Sequence, residues 1–489
     1  MNTNNIQTGS FDDELNAKNI ELENKRDELL KDGVRVTLND IVESIESHQE
    51  DLIKLMIGKI QTKAIRNLTA DILVEATKGR MIVPHFSPSP LKSSPVWVFV
   101  GTHWSEIPNP QITRDFICDC CHKMGLDDMF INDDAFIDKL RKQIEHMLSK
   151  YPYQERKERV ALLNCLNGTL EISADGQPRL RPHHREDYFR YVLPYKYNPQ
   201  ADCPRFRQYL GEVLPETGKG VAVIEYIASC FVPWLHIEKI LGLLGGGSNG
   251  KSVLIRVIEG LFGKEAVSHE NMHDLTTNET HRANIERKLV NMATENDGKI
   301  NDAIFRALAS GEPVTCRKYY SQPYEMNEYA KLIFSFNEMP KVKSLLANKR
   351  RWMLVKFDVT ISEEDADMDL DEKLAAELPG ILNMVLEVLP GLLEKKKFSK
   401  NEALDAALRE LEVHNDPVLQ FIRMRCETGP SISCKGSELH KALKDYLAEN
   451  GYGIISNHAF YNRLRELGHE IPQDGHQPTF NVKVVRYED

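Results

Sequence analysis

The apolar positions of this chain change their period several times, and each change marks a different kind of element. Near the start, "DDELNAKNIELENKRDELLKDG" interleaves acids and bases around sparse apolar residues. That pattern predicts a solvated helix closed by Gly33. "VPHFSPSPLKSSP", residues 83–95, has no period and is rich in Pro and Ser, as a linker or long loop is. Beyond it, "VWVFVGTHWSEI" alternates like two strands turning at Gly101. "NCLNGTLEISADGQPRLRPHH" carries two turn signals and predicts hairpins, and "YNPQADCPRFRQYLGEVLP" shifts to helical spacing with Phe206, Tyr209 and Leu210 on one face.

Four short apolar runs follow: "KILGLL", "KLVNMAT", "KLIFSF" and "WMLVKF". Helical or irregular stretches separate them, a spacing that predicts a mainly parallel sheet flanked by helices. "ISEEDADMDLDEKL" predicts an exposed acidic loop, and a helical region continues to about residue 426. The tail offers "SELHKALKDYLAEN", "NHAFYNRLRELG" and "FNVKVVRY", the order of a small winged-helix-like module. No internal repeat is visible.

A chain of 489 residues has room for two to four domains. No apolar run approaches the roughly 20 residues that span a bilayer. The first residues have neither the basic region nor the apolar core of a signal peptide, so the expectation is a protein that stays where it is made. Nine scattered cysteines read as reduced thiols in a cytosol-like compartment. The cluster "CDCCHK" lacks a second ligand pair at finger spacing, so Cys118, Cys120 and Cys121 read as helix cysteines rather than a zinc site. A net charge of −11 disfavours a broad duplex-coating face, while leaving room for a narrow basic channel.

The chemistry concentrates at "GGGSNGKS", Gly245 to Ser252, which fits G-x-x-x-x-G-K-[ST] between a predicted strand and a predicted helix. Gly245, Gly246, Gly247, Ser248, Asn249 and Gly250 would wrap their backbone N–H groups around phosphate oxygens. Lys251 would reach the β- and γ-phosphates, Ser252 would ligate Mg²⁺, and Val253 continues the helix whose N-terminus faces the anion. Hydrolysis needs further groups: a carboxylate by the metal, an orienter for water and a cation for the transition state. Glu295 stands at the mouth of the second strand with Asp297 two residues on, and Asn337 stands at the mouth of the third. Arg350 and Arg351 precede the fourth.

This order, together with "FSFNEMP", resembles the superfamily 3 helicases, an AAA+-like group of hexameric DNA motors, in the branch of phage, plasmid and poxvirus primase–helicases. The likeness spans roughly residues 95–470, including "PHHREDYFRYVLPYKYNPQADCPRFRQYL" before the motor and "KLAAELPGILNMVLEVLPGLL" after it. It implies an AAA+-like P-loop core at 237–360, after a helical region at 1–82 and an α+β domain at 96–236. A helical segment at 361–426 and a winged-helix-like module at 427–489 complete the expected α/β architecture. It further implies ATP and Mg²⁺ as cofactors, Glu295 assisting metal and water, and Asn337 sensing the γ-phosphate. Arg350 or Arg351 would complete a neighbouring subunit's site. The segment "SGEPVTCRKYYSQPYEM" would send a hairpin into the ring's pore, with Arg317 and Lys318 on phosphates and Tyr319 and Tyr320 against bases.

Many relatives have two adjacent acids where Asn296 here separates Glu295 from Asp297, which leaves open which acid activates water. No paired acids on a strand suggest a primase site, since "FDDELN", "LDDMF" and "NDDAF" sit in helical or turn-like contexts. The implied protein is an ATP-dependent helicase of a mobile element, acting on single-stranded and forked DNA as a homo-hexamer in a bacterial host's cytosol. A separate primase or polymerase would serve it, and no membrane. An initiator that assembles on an origin without unwinding is the rival. A small-molecule kinase is disfavoured, because it must shield its γ-phosphate from water.

Overall fold

The computed structural model describes residues 33–57, 62–84, 95–150, 160–172, 177–294, 300–319, 321–337, 348–362, 364, 367–471 and 479–485. Glu295, Asn296, Asp297 and Tyr320 lie outside them.

Residues 33–43 are helical, so Gly33 does not close a helix as its spacing predicts. Helices Gln49–Ile57 and Thr62–Ala76 follow, then an antiparallel sheet of Met81–Ile82, Trp97–Phe99 and Trp104–Glu106. Helices Pro110–Met124 and Asp134–Leu148 complete one core, which runs from Val34 to Leu148. The division read at residues 83–95 therefore falls within the span of a single core. Cys120 and Cys121 are buried in it, and burial pushes the Cys121 thiol up to about 12. Among the described residues no group of three or more His, Cys, Asp or Glu side chains could hold a metal ion.

The predicted hairpins form a three-stranded antiparallel meander, Ala161–Cys165, Gly168–Ile172 and Pro178–Arg181. Helix Pro204–Val213 buries Phe206, Tyr209, Leu210 and Val213, as its 3.6-residue period requires.

Among the described residues the central sheet is parallel throughout and has five strands: β1 (Ile240–Leu244), β2 (Val267–Ser268), β3 (Val290–Ala293), β4 (Lys331–Phe336) and β5 (Trp352–Lys356). Their spatial order is β5-β1-β4-β3-β2. Successive side chains on a strand point to opposite faces, and two cores result. Leu241, Leu243, Ile333, Met353 and Val355 face one core with helices Lys219–Cys230, Lys251–Phe262 and Leu378–Lys395. Ile240, Phe334, Phe336, Trp352 and Leu354 face the other with helices Asp302–Ser310 and Glu402–Asn415. The first core also takes in the meander and helix Pro204–Val213, so the expected α+β domain at 96–236 is divided: its part up to Leu148 belongs to the N-terminal core, and its part from Ala161 on shares a core with the sheet.

The acidic run after β5 is helical from Leu370 to Ala376 and buries Leu374. The tail module begins upstream of the division read from sequence. Helix Pro417–Arg425 shares a core with helices Gly436–Glu449 and Asn457–Glu466 and with the strands at Phe480 and Val482. Helix, strand Cys434–Lys435, two helices and the pair Glu470–Ile471 and Thr479–Phe480 follow in the order of a winged helix. Among the described residues no single helix is long and apolar enough to cross a membrane; Leu370–Ala376 and Leu378–Lys395 reach that length only together, across a 63° bend.

Candidate functional site

β1 and β4 are adjacent but not consecutive, so the chain leaves their C-terminal ends in different directions and opens a crevice there. The glycine loop occupies this crevice. Gly245 N–H donates to Phe336 O at 3.0 Å, which ties the loop's first residue to the end of β4. Gly247 (φ +107°) and Gly250 (φ +81°) occupy the left-handed region that side chains avoid. These turns let the backbone reverse and deliver Lys251 to the first turn of helix Lys251–Phe262.

Lys251 is buried, and its ammonium donates to Gly245 O at 2.8 Å, Phe336 O at 2.7 Å and Asn337 Oδ1 at 3.1 Å. All three partners are neutral oxygens, so desolvation wins and pushes its pKa below the ordinary lysine value. A cation held this way favours an anionic ligand that would relieve its burial. Asn249 is also buried, and its Oδ1 accepts the Lys251 N–H at 3.3 Å. Ser252 is exposed on the first turn and Val253 is half-buried behind it. The donor set of the loop fits a nucleotide's phosphates, with the Ser252 hydroxyl available to a metal ion.

The structure brings Lys251 and Asn337 together. The acids read at the β3 mouth, Glu295 and Asp297, fall outside the described residues; β3 itself ends beside β4, with Ala293 paired to Phe334. The arginine pair stands elsewhere. Arg350 and Arg351 precede β5, at the opposite end of the parallel sheet from the loop, a strand length of roughly 15 Å away. They also differ from each other: Arg350 is exposed, whereas Arg351 is 7% exposed and ion-paired with Glu238 of its own chain.

The segment between β3 and β4 forms a hairpin, Val314–Cys316 against Tyr324–Met326. Its tip carries Arg317, Lys318 and Tyr319, all exposed, with Tyr319 at 80%. Lys318 Nζ lies 3.1 Å from Glu286, and the Arg317 N–H donates to Glu279 O at 3.1 Å, which ties the start of the tip to the segment that begins with helix Glu279–Ala283. In the tail helix, Arg463 contacts Asp416 at 2.7 Å and Glu466 at 2.8 Å, and Arg465 contacts Glu470 at 2.9 Å. Both arginines are thus engaged with acids of their own module.

Two supports of the loop carry no signal in the sequence. The Tyr209 hydroxyl donates to Gly250 O at 2.7 Å, and the Ile361 N–H donates to Ser248 O at 2.7 Å. A periodic pattern identifies Tyr209 as buried but cannot say which carbonyl its hydroxyl meets.

Residues 92–215 match the family described as D5 N terminal like, and residues 243–351 match a family of unknown function, DUF5906. No curated protein matches the chain. Among solved structures, the A-form apo C-terminal region of NrS-1 is similar at TM-score 0.47 and 10% identity, over 80% of this chain and 95% of that one. A second structure of that region gives TM-score 0.46 at the same identity and coverage, and a third gives 0.41 over 66% of this chain and 96% of the other. The D5-type match covers the meander and most of the region that shares its core with the sheet, and the glycine loop follows it on β1 of a five-stranded parallel α/β core. The chain is thus similar to the D5-type family over residues 92–215, and its glycine loop lies within the second matched span, residues 243–351.

Proposed function

We propose that this protein is an ATP-dependent DNA helicase that works as a hexameric ring, translocating on one strand of a fork. The observation that carries the reading is the contact between Lys251 and Asn337, which sets the phosphate loop and an amide on the neighbouring strand mouth within one hydrogen bond. In this reading, the backbone of Gly245–Gly250 cradles the phosphates and Lys251 turns from its carbonyl partners to the β- and γ-phosphates. Mg²⁺, when bound, would neutralise developing charge on the phosphate oxygens. Ser252 would hold it with Glu295 or Asp297. Asn337 then orients the attacking water.

Arg350 supplies the transition-state cation to the next subunit's nucleotide, because it is exposed and a strand length from its own loop. Arg351 holds the strand start through Glu238. The hairpin tip grips a single strand through Arg317 and Lys318 on phosphates and Tyr319 on a base.

The test is Lys251→Ala. Single-strand-stimulated ATPase and fork unwinding are both expected to fall by about 100-fold or more, the usual scale for removing a charged transition-state donor. Wild-type protein that hydrolyses ATP yet separates no forked substrate would instead identify an initiator that assembles without unwinding.

A further inference from the structure

Helix Pro204–Val213 belongs to the segment matched by the D5-type family, yet one of its faces touches the phosphate loop. Tyr209 is 1% exposed, and its hydroxyl donates to Gly250 O at 2.7 Å. The same carbonyl accepts the Leu254 N–H at 3.2 Å, in the first turn of the loop helix. Space here is tight: a Cβ on Gly250 would lie 2.6 Å from Val213 Cγ1 and 3.3 Å from Tyr209 Cε2. At its other end the helix is anchored by Glu377, whose carboxylate accepts the N–H groups of Arg205 and Phe206 at 3.1 and 2.9 Å.

The planar trans peptide points its C=O and N–H in opposite directions. Holding the Gly250 carbonyl back against Tyr209 therefore aims the Lys251 N–H the other way, toward Asn249 Oδ1 in the loop. Loop amides aimed in this manner are what grip phosphate oxygens. Burial raises the Tyr209 phenol above its ordinary value, so the hydroxyl remains a donor throughout the neutral range.

We propose that Tyr209 is a positioning residue for nucleotide binding: its hydroxyl orients the Gly250–Lys251 peptide, so that ATP affinity depends on a helix that precedes the parallel sheet in sequence. The proposal rests on the phosphate-loop reading above. Tyr209→Phe isolates it, because the ring keeps its packing and Gly250 O keeps its helical bond.

The experiment measures ATP Kd by calorimetry, steady-state KM and kcat, and the melting temperature for wild type, Tyr209→Phe and Lys251→Ala. Tyr209→Phe is expected to raise Kd and KM about threefold to tenfold, the scale of one net hydrogen bond. Its kcat should change less than about twofold and its melting temperature little. ATP binding as in wild type, or a fall in kcat that tracks a lowered melting temperature, overturns the role. Lys251→Ala separates the two levels. If it loses ATP while Tyr209→Phe binds normally, only the Tyr209 proposal fails. If Lys251→Ala itself binds ATP as wild type does, the phosphate-loop reading fails and this inference falls with it.

Discussion

The ammonium of Lys251 donates to the side-chain oxygen of Asn337 at 3.1 Å, across 86 residues of sequence. The bond joins the first turn after the glycine loop to the residue that follows β4. It exists because β1 and β4 pair in parallel from Leu241 with Ile333 to Leu244 with Phe336, which levels their two C-terminal ends. The same ammonium also donates to Gly245 O and Phe336 O, so three oxygens from the loop and the end of β4 surround it.

The arginine pair separates by position. Arg351→Ala breaks a pair whose cationic partner is buried, and should lower stability by about 1–3 kcal/mol, read as a fall in denaturation midpoint. Arg350→Ala should leave that midpoint nearly unchanged while cutting ATPase by about 1,000-fold. Mixing it with Lys251→Ala protein should restore part of the ATPase, since some interfaces would then join an intact loop to an intact arginine. No recovery in mixed assemblies would count against action between subunits.

The hairpin tip makes its own prediction. Tyr319 is 80% exposed and so is free to stack on a base. Tyr319→Ala should weaken single-strand binding by about 1–3 kcal/mol, measured by fluorescence anisotropy at fixed salt. Arg317→Ala should instead flatten the salt dependence of binding, because it removes a phosphate contact. Affinity and salt slope identical to wild type in both variants would remove the hairpin from the DNA path.

Gly380 lies within helix Leu378–Lys395, where exchanging Gly for Ala ordinarily gains about 1 kcal/mol. Here a Cβ would stand 2.2 Å from Asp202 O and 2.9 Å from Cys203 N, both backbone atoms with little freedom to move. Gly380→Ala should therefore destabilise by about 1–3 kcal/mol in chemical denaturation. A gain in stability would show that the two segments do not pack so closely.

Lys331 begins β4, with its ammonium 3.4 Å from both Pro233 O and His236 Nδ1, and burial pushes its pKa down to about 8. A lysine depressed on folding destabilises the fold while charged. That cost is present in full below about pH 8 and disappears as pH rises toward the unfolded value of about 10.4. Lys331→Met should be the more stable protein near neutrality, and its advantage should shrink by about 1–2 kcal/mol by about pH 10. Denaturation curves at the two pH values check this; a constant difference would contradict it.

The near-continuous apolar runs of "KLIFSF" and "WMLVKF" carried two central strands, because a sheet covered on both faces needs apolar side chains of both parities. The glycine loop was equally legible, since its turn, its lysine and its helix are consecutive in sequence and their geometry is local. The hairpin of Val314–Cys316 and Tyr324–Met326 was expected from the family resemblance rather than from a local turn pattern.

Relationships over long separations were not. Nothing near Arg351 says that Glu238 will neutralise it, so two adjacent arginines look alike until the pairing of β5 with β1 buries one and leaves the other exposed. Arg463 likewise gains a distant partner only when the tail folds and sets Asp416 against it. Gly33 looks like a stop, yet residues 33–43 are helical and bury Val34, Leu38 and Ile41 in a core shared with residues far downstream. By itself the sequence determined four of the five described strands of the central sheet and the phosphate loop, whose physics lies in turns and periods of a few residues, but not the short strand Val267–Ser268. Only the tertiary structure decided the strand order that sets Asn337 against Lys251, the helix that sets Tyr209 against Gly250, and which arginine stays free. Those depend on which distant surfaces exclude water together, and no local pattern encodes that choice.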